Sequence, residues 1–144
     1  MKGTAMRRFA AAALACLLPA APALADGYAA AVKATPLLQT STHSDGVPLA
    51  YPAGTPKITT LLVEIPPGAD TGRHRHPVPL IAYILEGSVL VEADGQPPQV
   101  FTAGQAIAES SGWHIGRNTG TTPVKIIGVF IGAEGTPNTV PFKE

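Results

Sequence analysis

Residues 66–77 read PPGADTGRHRHP, a short run bounded by proline and glycine. Such punctuation is typical of an extended segment between turns. His74 and His76 are two residues apart, so on an extended chain both imidazoles project from the same face. Imidazole is the commonest protein ligand for transition metals. The pair therefore predicts one side of a metal site, and His114, further along the chain, is the candidate third ligand.

The start of the chain has the composition of an export signal. A basic N-terminus precedes an apolar run over residues 9–20, and Ala23-Leu24-Ala25 has the small-x-small pattern of a cleavage site. The apolar run is too short and too rich in alanine for a membrane span, and the residues before Cys16 fit a lipoprotein site poorly. We therefore expect cleavage after Ala25 and a periplasmic or secreted protein that is not held in a membrane.

Cleavage would leave an N-terminal arm at residues 26–36 and one domain at residues 37–144, which is long enough for a single core. Three of the ten basic residues leave with the signal and no acidic residue does, so the remaining chain is mildly acidic. This charge makes nucleic acid an improbable partner. Cys16 is the only cysteine, so any metal in the mature chain must be held by nitrogen and oxygen.

Beyond residue 36 the sequence is typical of an all-β fold, with short apolar runs and frequent turn residues. The pairs Glu86-Gly87, Asp94-Gly95 and Ala103-Gly104 predict tight turns. Residues 61–63 and 126–131 are apolar on both faces, which predicts central strands or strands at a dimer interface. We predict strands at residues 37–40, 57–65, 73–76, 80–85, 88–92, 99–102, 105–109, 114–118 and 124–131.

The spacing around the histidines resembles the cupin superfamily, whose first motif reads G-x5-H-x-H-x(3,4)-E-x6-G and whose second reads roughly G-x5-P-x-G-x2-H-x3-N. The resemblance covers about residues 61–131 and is closest to short, exported, single-domain bacterial cupins. It implies a small antiparallel jelly-roll barrel with a metal bound inside. The motif positions that this chain retains are Gly68, His74, His76, Gly87, Gly104, His114 and Asn118.

The chain departs from the family pattern at two places. Leu80 stands where the first motif has its carboxylate ligand. In the second motif Ser110 stands where proline is usual, and one residue is missing just before His114. Thiol dioxygenases among the cupins also lack the carboxylate and use three histidines. The resemblance therefore implies a site made of histidines alone.

Strand alternation predicts an apolar wall beside this site, because Leu80, Ala82 and Ile84 share one face. Trp113 adjoins a predicted ligand and could line the mouth of the barrel. Three neutral imidazoles would leave both positive charges of the metal uncancelled, which favours an anionic or chelating ligand. Iron, nickel, copper and zinc all suit imidazole, and manganese is less favoured without a carboxylate.

Three further polar residues have two interpretations each. Asn118 shares a face with His114, so it could hydrogen-bond an imidazole or a metal-bound water, or it could fix the turn that follows it. Glu109 could be a distant carboxylate ligand or base, but its position before a serine turn favours an exposed side chain. His43 lies in a polar turn and is expected to be solvated.

Three functions remain open from the sequence. The first is a metal-dependent enzyme, of the oxygenase type, that acts on a small molecule. The second is a barrel that binds or senses a small ligand or a metal without turnover. The third is a metal-free structural cupin that pairs as a homodimer through its doubly apolar strands. The absence of an arginine that could orient a substrate inside the barrel counts against the first function.

Overall fold

The computed structural model describes residues 31–143, and within them it consists of β-strands and connecting turns without a helix. The predicted signal peptide, its cleavage after Ala25 and residues 26–30 of the arm lie outside the described residues. Between residues 31 and 143 no helix is long and apolar enough to cross a membrane. The strands are β1 (Pro56–Ile65), β2 (His74–Arg75), β3 (Leu80–Glu86), β4 (Ser88–Ala93), β5 (Gln99–Thr102), β6 (Ala106–Ala108), β7 (His114–Arg117), β8 (Val124–Ala133) and β9 (Val140–Pro141).

The strands form two antiparallel sheets that face each other across one interior. The first sheet has the order β1-β8-β3-β6 and the second has the order β5-β4-β7-β2-β9. Apart from β4 and β5, neighbouring strands are not consecutive in sequence, as in a jelly roll, so residues far apart in the chain are brought side by side. The all-β, antiparallel jelly-roll class predicted from the sequence is confirmed.

Most strands lie where the sequence pattern predicts them, within one or two residues at each end. The strand prediction at residues 37–40 is wrong, because this stretch pairs with no other strand. The nearest pairing is an isolated bridge between Thr42 and Pro48, just beyond it. β9, which pairs with β2, is not predicted by the sequence pattern. A two-residue strand that contains proline has no alternation to detect, and only its partner defines it.

Alternation along β3 and β8 builds the interior. Buried and partly exposed residues alternate along both strands, so one face of each points inward. The main core cluster packs beside the histidines and consists of Ile65, Ala82, Ile84, Val89, Ile107, Val124 and Ile126. A smaller cluster of Val78, Leu80 and Phe130 lies nearer to them, with the Phe130 ring 5.3 Å from that of His76.

The two doubly apolar strands occupy different places in the first sheet. β8 is central, between β1 and β3, as predicted. β1 is an edge strand, so residues 61–63 do not lie in a central strand. The alternative, that they lie at a dimer interface, stays a prediction. Ile58, Leu61 and Leu62 are 60%, 44% and 55% exposed. Apolar composition alone does not distinguish a covered strand from an edge strand whose outer face is bare.

Candidate metal centre

The second sheet places three histidines together. His74 on β2 lies directly opposite His114 on β7 in the antiparallel register, and His76 follows β2 immediately. The imidazole centroids are 4.5 Å apart for His74 and His114, 4.8 Å for His74 and His76, and 5.1 Å for His76 and His114. The three rings therefore converge on one region at the end of the apolar core.

Main-chain carbonyls fix the orientation of each ring. Nδ1 lies 2.8 Å from the Gly72 oxygen in His74, 2.9 Å from the Asn138 oxygen in His76, and 2.9 Å from the Gly112 oxygen in His114. A carbonyl oxygen can only accept, so each Nδ1 carries a hydrogen and donates it. Each Nε2 therefore keeps its lone pair for the shared centre, the arrangement that metal-binding histidines adopt.

Glu109 completes the group. Its Oε2 lies 3.1 Å from Nε2 of His114 and 3.3 Å from Nε2 of His76, and one ligand atom from each of the four residues lies within 4.8 Å of the others. Two ligands at about 2.1 Å from one ion and at right angles to each other are separated by about 3.0 Å. The Glu109 side chain is only 16% exposed, so the expectation that it points into solvent is wrong.

The carboxylate arrives from the strand beside the one that carries it in the family motif. β3 and β6 pair with Ile81 opposite Ala108, and the Glu109 amide donates to the Leu80 carbonyl at 2.9 Å. Directly opposed residues in an antiparallel pair project from the same face, with Cβ atoms about 5 Å apart. Glu109 therefore reaches the space that a glutamate at position 80 would reach. The expected set of histidines alone is corrected to three histidines and a glutamate.

The donor set fits a divalent metal. Nε2 of His76 and Nε2 of His114 are buried and have no hydrogen-bond partner among the described residues. A buried polar atom left without a partner costs about 1–3 kcal/mol. A cation held between these nitrogens and the Glu109 carboxylate would satisfy them, and nitrogen with oxygen is a ligand set that first-row divalent ions accept.

The charges of the group are strongly coupled. Burial raises the pKa of Glu109, but its contacts with His114 and His76 outweigh burial and hold the pKa at about 2. Burial lowers the pKa of His114, but the Glu109 carboxylate and the Gly112 carbonyl bring the net change upward. The pKa of His74 is lowered, mainly by burial and also by the other two rings. Without a metal, the Glu109 carboxylate favours the protonated form of His114. A metal that binds to the group must displace this proton.

Comparison with known proteins agrees with this geometry. Residues 61–130 match the family model of the cupin domain. This segment is a cupin domain. None of the curated proteins matches it. Among solved structures, DMSP lyase DddQ from Ruegeria pomeroyi DSS-3 is 27% identical with a TM-score of 0.52, over 67% of this chain and 46% of that one.

Two other solved structures show the fold alone. Oxalate oxidase in complex with glycolate is 24% identical with a TM-score of 0.50, over 58% of this cupin and 45% of that chain. An uncharacterized conserved protein with a double-stranded β-helix domain from Klebsiella pneumoniae is 16% identical with a TM-score of 0.50, over 67% of this chain and 91% of that one. The cupin therefore spans less than half the length of the lyase and oxidase chains that it matches.

A cavity of about 80 Å³ lies beside His74, His76 and Glu109 inside the barrel. Thr71 is its other polar side chain, but the Thr71 hydroxyl already donates to the Gly72 carbonyl and accepts from the Gly116 amide, both at 3.0 Å. No arginine or lysine lines the cavity among the described residues. The apolar lining comprises Val63, Ile65, Leu80, Ala82, Ile84, Val89, Val91, Ile107, Ile126 and Phe130.

Trp113 does not line this cavity. Its ring packs edge-on against Phe142 at 5.1 Å, and the Arg75 guanidinium lies over it at 4.9 Å from the ring centroid. Because Trp113 immediately precedes a residue that faces inward, alternation turns it to the outside of the sheet. The expectation that it lines the mouth of the barrel is therefore not met.

Asn118 and His43 also have roles that the structure makes specific. Asn118 donates to the carbonyls of Ile65 and Thr122, both at 2.8 Å, and accepts from the Gly120 amide at 2.9 Å. The side chain therefore fixes the turn and joins it to the end of β1, which agrees with the second of its two interpretations. His43 is partly buried rather than solvated, and its Nδ1 donates to the Glu109 carbonyl at 2.7 Å.

Proposed function

We propose that this cupin binds one divalent transition metal through His74, His76, Glu109 and His114, and that the open coordination positions of the metal act on a small molecule. The observation that carries the proposal is the pair of buried Nε2 atoms that have no partner beside an ionised carboxylate. Without a cation these nitrogens can bond to the Glu109 carboxylate only by taking up a proton, whereas a cation would use the lone pairs of all of these atoms.

The presence of Glu109 changes the expected chemistry of the metal. A carboxylate cancels one of the two positive charges, so the centre should select anionic ligands less strongly than a site built from histidines alone. Glu109 also makes manganese a suitable ion, because carboxylate oxygen suits manganese, and imidazole suits iron, nickel, copper and zinc. We expect the native ion to come from this group.

The reaction type that we favour is metal-dependent chemistry on a compact substrate. When bound, the metal would supply a Lewis acid and, if it is a redox ion, one-electron chemistry. The chain itself orients the ligands through the carbonyls that hold each Nδ1, and its apolar wall offers water few hydrogen-bond partners. A volume of about 80 Å³ admits only a small molecule or one end of a larger one. The DMSP lyase DddQ that this chain resembles is an enzyme.

A non-catalytic binding or sensing barrel is the second candidate. It is favoured by the lack of any polar side chain in the cavity that is still free to orient a substrate or move a proton. An enzyme that relies on general acid–base steps would need such a group near the metal.

Elemental analysis of protein purified without added metal tests the proposal. We expect close to one divalent ion per chain, and we expect His74→Ala to lose most of it, since Nε2 of His74 would be a direct ligand. Unchanged metal content in His74→Ala would contradict the site. Oxygen uptake with thiols, diketones or oxalate by the fully loaded protein then separates the two candidates. A loaded protein that binds but never turns over favours the second.

Two further expectations accompany the proposed function. We propose that the protein is exported, because residues 1–25 have the composition of a signal peptide. We also propose that it pairs as a homodimer through the first sheet. On the outer face of this sheet Leu62, Ile127 and Tyr83 lie side by side in register, and a second copy would cover them.

A further inference from the structure

A loop before the first strand lies against the segment that carries two members of the metal group. Residues 42–48 close on themselves through a bridge between Thr42 and Pro48, and the His43 amide donates to the Val47 carbonyl at 2.8 Å. The Ser44 amide donates to the Ala108 carbonyl at 2.8 Å, which joins the loop to the end of β6. The segment beside it runs from Glu109 to His114, and we call residues 42–48 the clamp loop.

Asp45 is the centre of this contact. Its Oδ2 accepts from the Ser110 hydroxyl at 2.9 Å, from the Ser111 amide and hydroxyl at 2.8 Å each, and from the Gly112 amide at 3.3 Å. Its Oδ1 accepts from the Val47 amide at 3.1 Å, which fixes the carboxylate within its own loop. One carboxylate oxygen therefore accepts from four donors on Ser110, Ser111 and Gly112, and the Gly112 amide also donates to the Ser110 hydroxyl at 3.1 Å.

The residues at both ends of this turn belong to the metal group, and each end is held in place by hydrogen bonds. The Gly112 carbonyl accepts from Nδ1 of His114 at 2.9 Å, so the turn that Asp45 holds also sets the direction of the His114 ring. At the other end, His43 of the clamp loop donates to the Glu109 carbonyl at 2.7 Å. Neither Asp45 nor His43 belongs to the group of four.

We propose that Asp45 is a positioning residue for the metal centre, acting through the turn of Ser110, Ser111 and Gly112. The inference rests on the proposed function, since it concerns the affinity and geometry of the same centre. Loss of the carboxylate leaves several turn donors without an acceptor, and the turn must rearrange to find others. Groups that orient ligands in this indirect way typically change metal affinity by about 10- to 100-fold.

The test compares cobalt(II) binding in the full chain and in two variants. Affinity is measured by competition with a chelator, and the ligand-field absorption spectrum reports the geometry of the bound ion. We expect Asp45→Ala to weaken binding about 10- to 100-fold and to shift the spectrum, because His114 and Glu109 lose their alignment. Ser111→Ala removes one of the hydroxyl donors and should weaken binding by a smaller factor. Glu86→Ala is the matched control, since it removes an exposed carboxylate that pairs with Lys125.

Melting of the metal-free proteins separates positioning from general destabilisation. If Asp45→Ala lowers the melting temperature but binds cobalt(II) with the wild-type affinity and spectrum, the residue is only structural and the inference is overturned. If Asp45→Ala does not fold, Ser111→Ala decides, and a wild-type affinity and spectrum there would overturn it. A wild-type protein that binds no divalent ion would instead refute the proposed function, and the inference would fall with it.

Discussion

Replacing Glu109 by glutamine tests whether this residue supplies the carboxylate of the centre. The amide keeps the shape of the side chain but removes its charge, and the carboxylate oxygen lies 3.1 Å and 3.3 Å from two imidazole nitrogens. Breaking a buried charge pair by removing one partner costs about 3–5 kcal/mol. Since about 1.4 kcal/mol corresponds to a tenfold change, we expect metal affinity to fall roughly 100- to 3000-fold.

The assay is chelator competition with manganese(II) and nickel(II) on the folded variant. Manganese should lose more affinity than nickel, because it depends more on carboxylate oxygen and less on imidazole. Glu64→Gln is the matched control, since Glu64 is exposed on the edge strand and makes no part of the centre. We expect its affinity to equal that of the wild type.

A second substitution restores the carboxylate from the neighbouring strand. Leu80 lies opposite Glu109 and lines the same cavity, so Leu80→Glu in the Glu109→Gln background should recover at least about tenfold in affinity. An affinity of Glu109→Gln within about threefold of the wild type would refute the reasoning, because a ligand cannot be lost without a measurable cost. Recovery at position 80 after a clear loss would support it strongly.

Three other predictions address stability and assembly. Burial raises the pKa of Asp45, but hydrogen bonds, led by that from Ser111, outweigh burial and bring the pKa from 3.8 to about 2. The lowered pKa should add about 1 kcal/mol to the free energy of unfolding of the metal-free protein, because Asp45 is partly exposed. This contribution is complete above pH 3.8 and is lost as the pH falls through 2. Urea unfolding of Asp45→Ala should show a smaller loss over that range, and equal losses would contradict the assignment. Asn118→Ala should lower the free energy of unfolding by about 2–4 kcal/mol, because it leaves two carbonyls and one amide unpaired, yet keep metal affinity within about threefold. A loss of metal affinity as large, in free energy, as the loss of stability would mean that Asn118 supports the metal centre as well as the turn. Leu62→Lys should turn a dimer into a monomer in light scattering, and a wild-type protein that is already monomeric would exclude this interface.

Local patterns were sufficient to predict most of the strands and the histidine cluster. Period-two alternation identifies β3, and the spacing of His74 and His76 puts both on one strand face. The glycine expected between β3 and β4 has φ of 77°, and a Cβ there would lie 3.0 Å from the Pro123 carbonyl, so the turn requires glycine. These features depend on neighbours in sequence, which a sequence displays directly.

The features that sequence analysis missed depend on which strands pair. Glu109 reaches the centre because β6 lies beside β3. The sequence around Glu109 does not indicate that β6 pairs with β3. A useful signal does exist, since Ile107 and Glu109 share the inward face that alternation assigns to this strand. Asp45 holds Ser110 across 65 residues of sequence, and such a contact follows only from the fold. The edge position of β1 could not be predicted for the same reason, because the composition of a strand does not determine its place in the order of the sheet.

X-ray absorption spectroscopy of the metal-loaded protein tests the central claim most directly. The account predicts an ion coordinated by three imidazole nitrogens and a carboxylate oxygen, with bonds of about 2.0–2.2 Å and the outer-shell scattering of histidine rings. Glu109→Gln should remove the carboxylate contribution and leave the imidazole signal in place. A spectrum of light scatterers without imidazole, or one that Glu109→Gln leaves unchanged, would contradict the assignment of this centre.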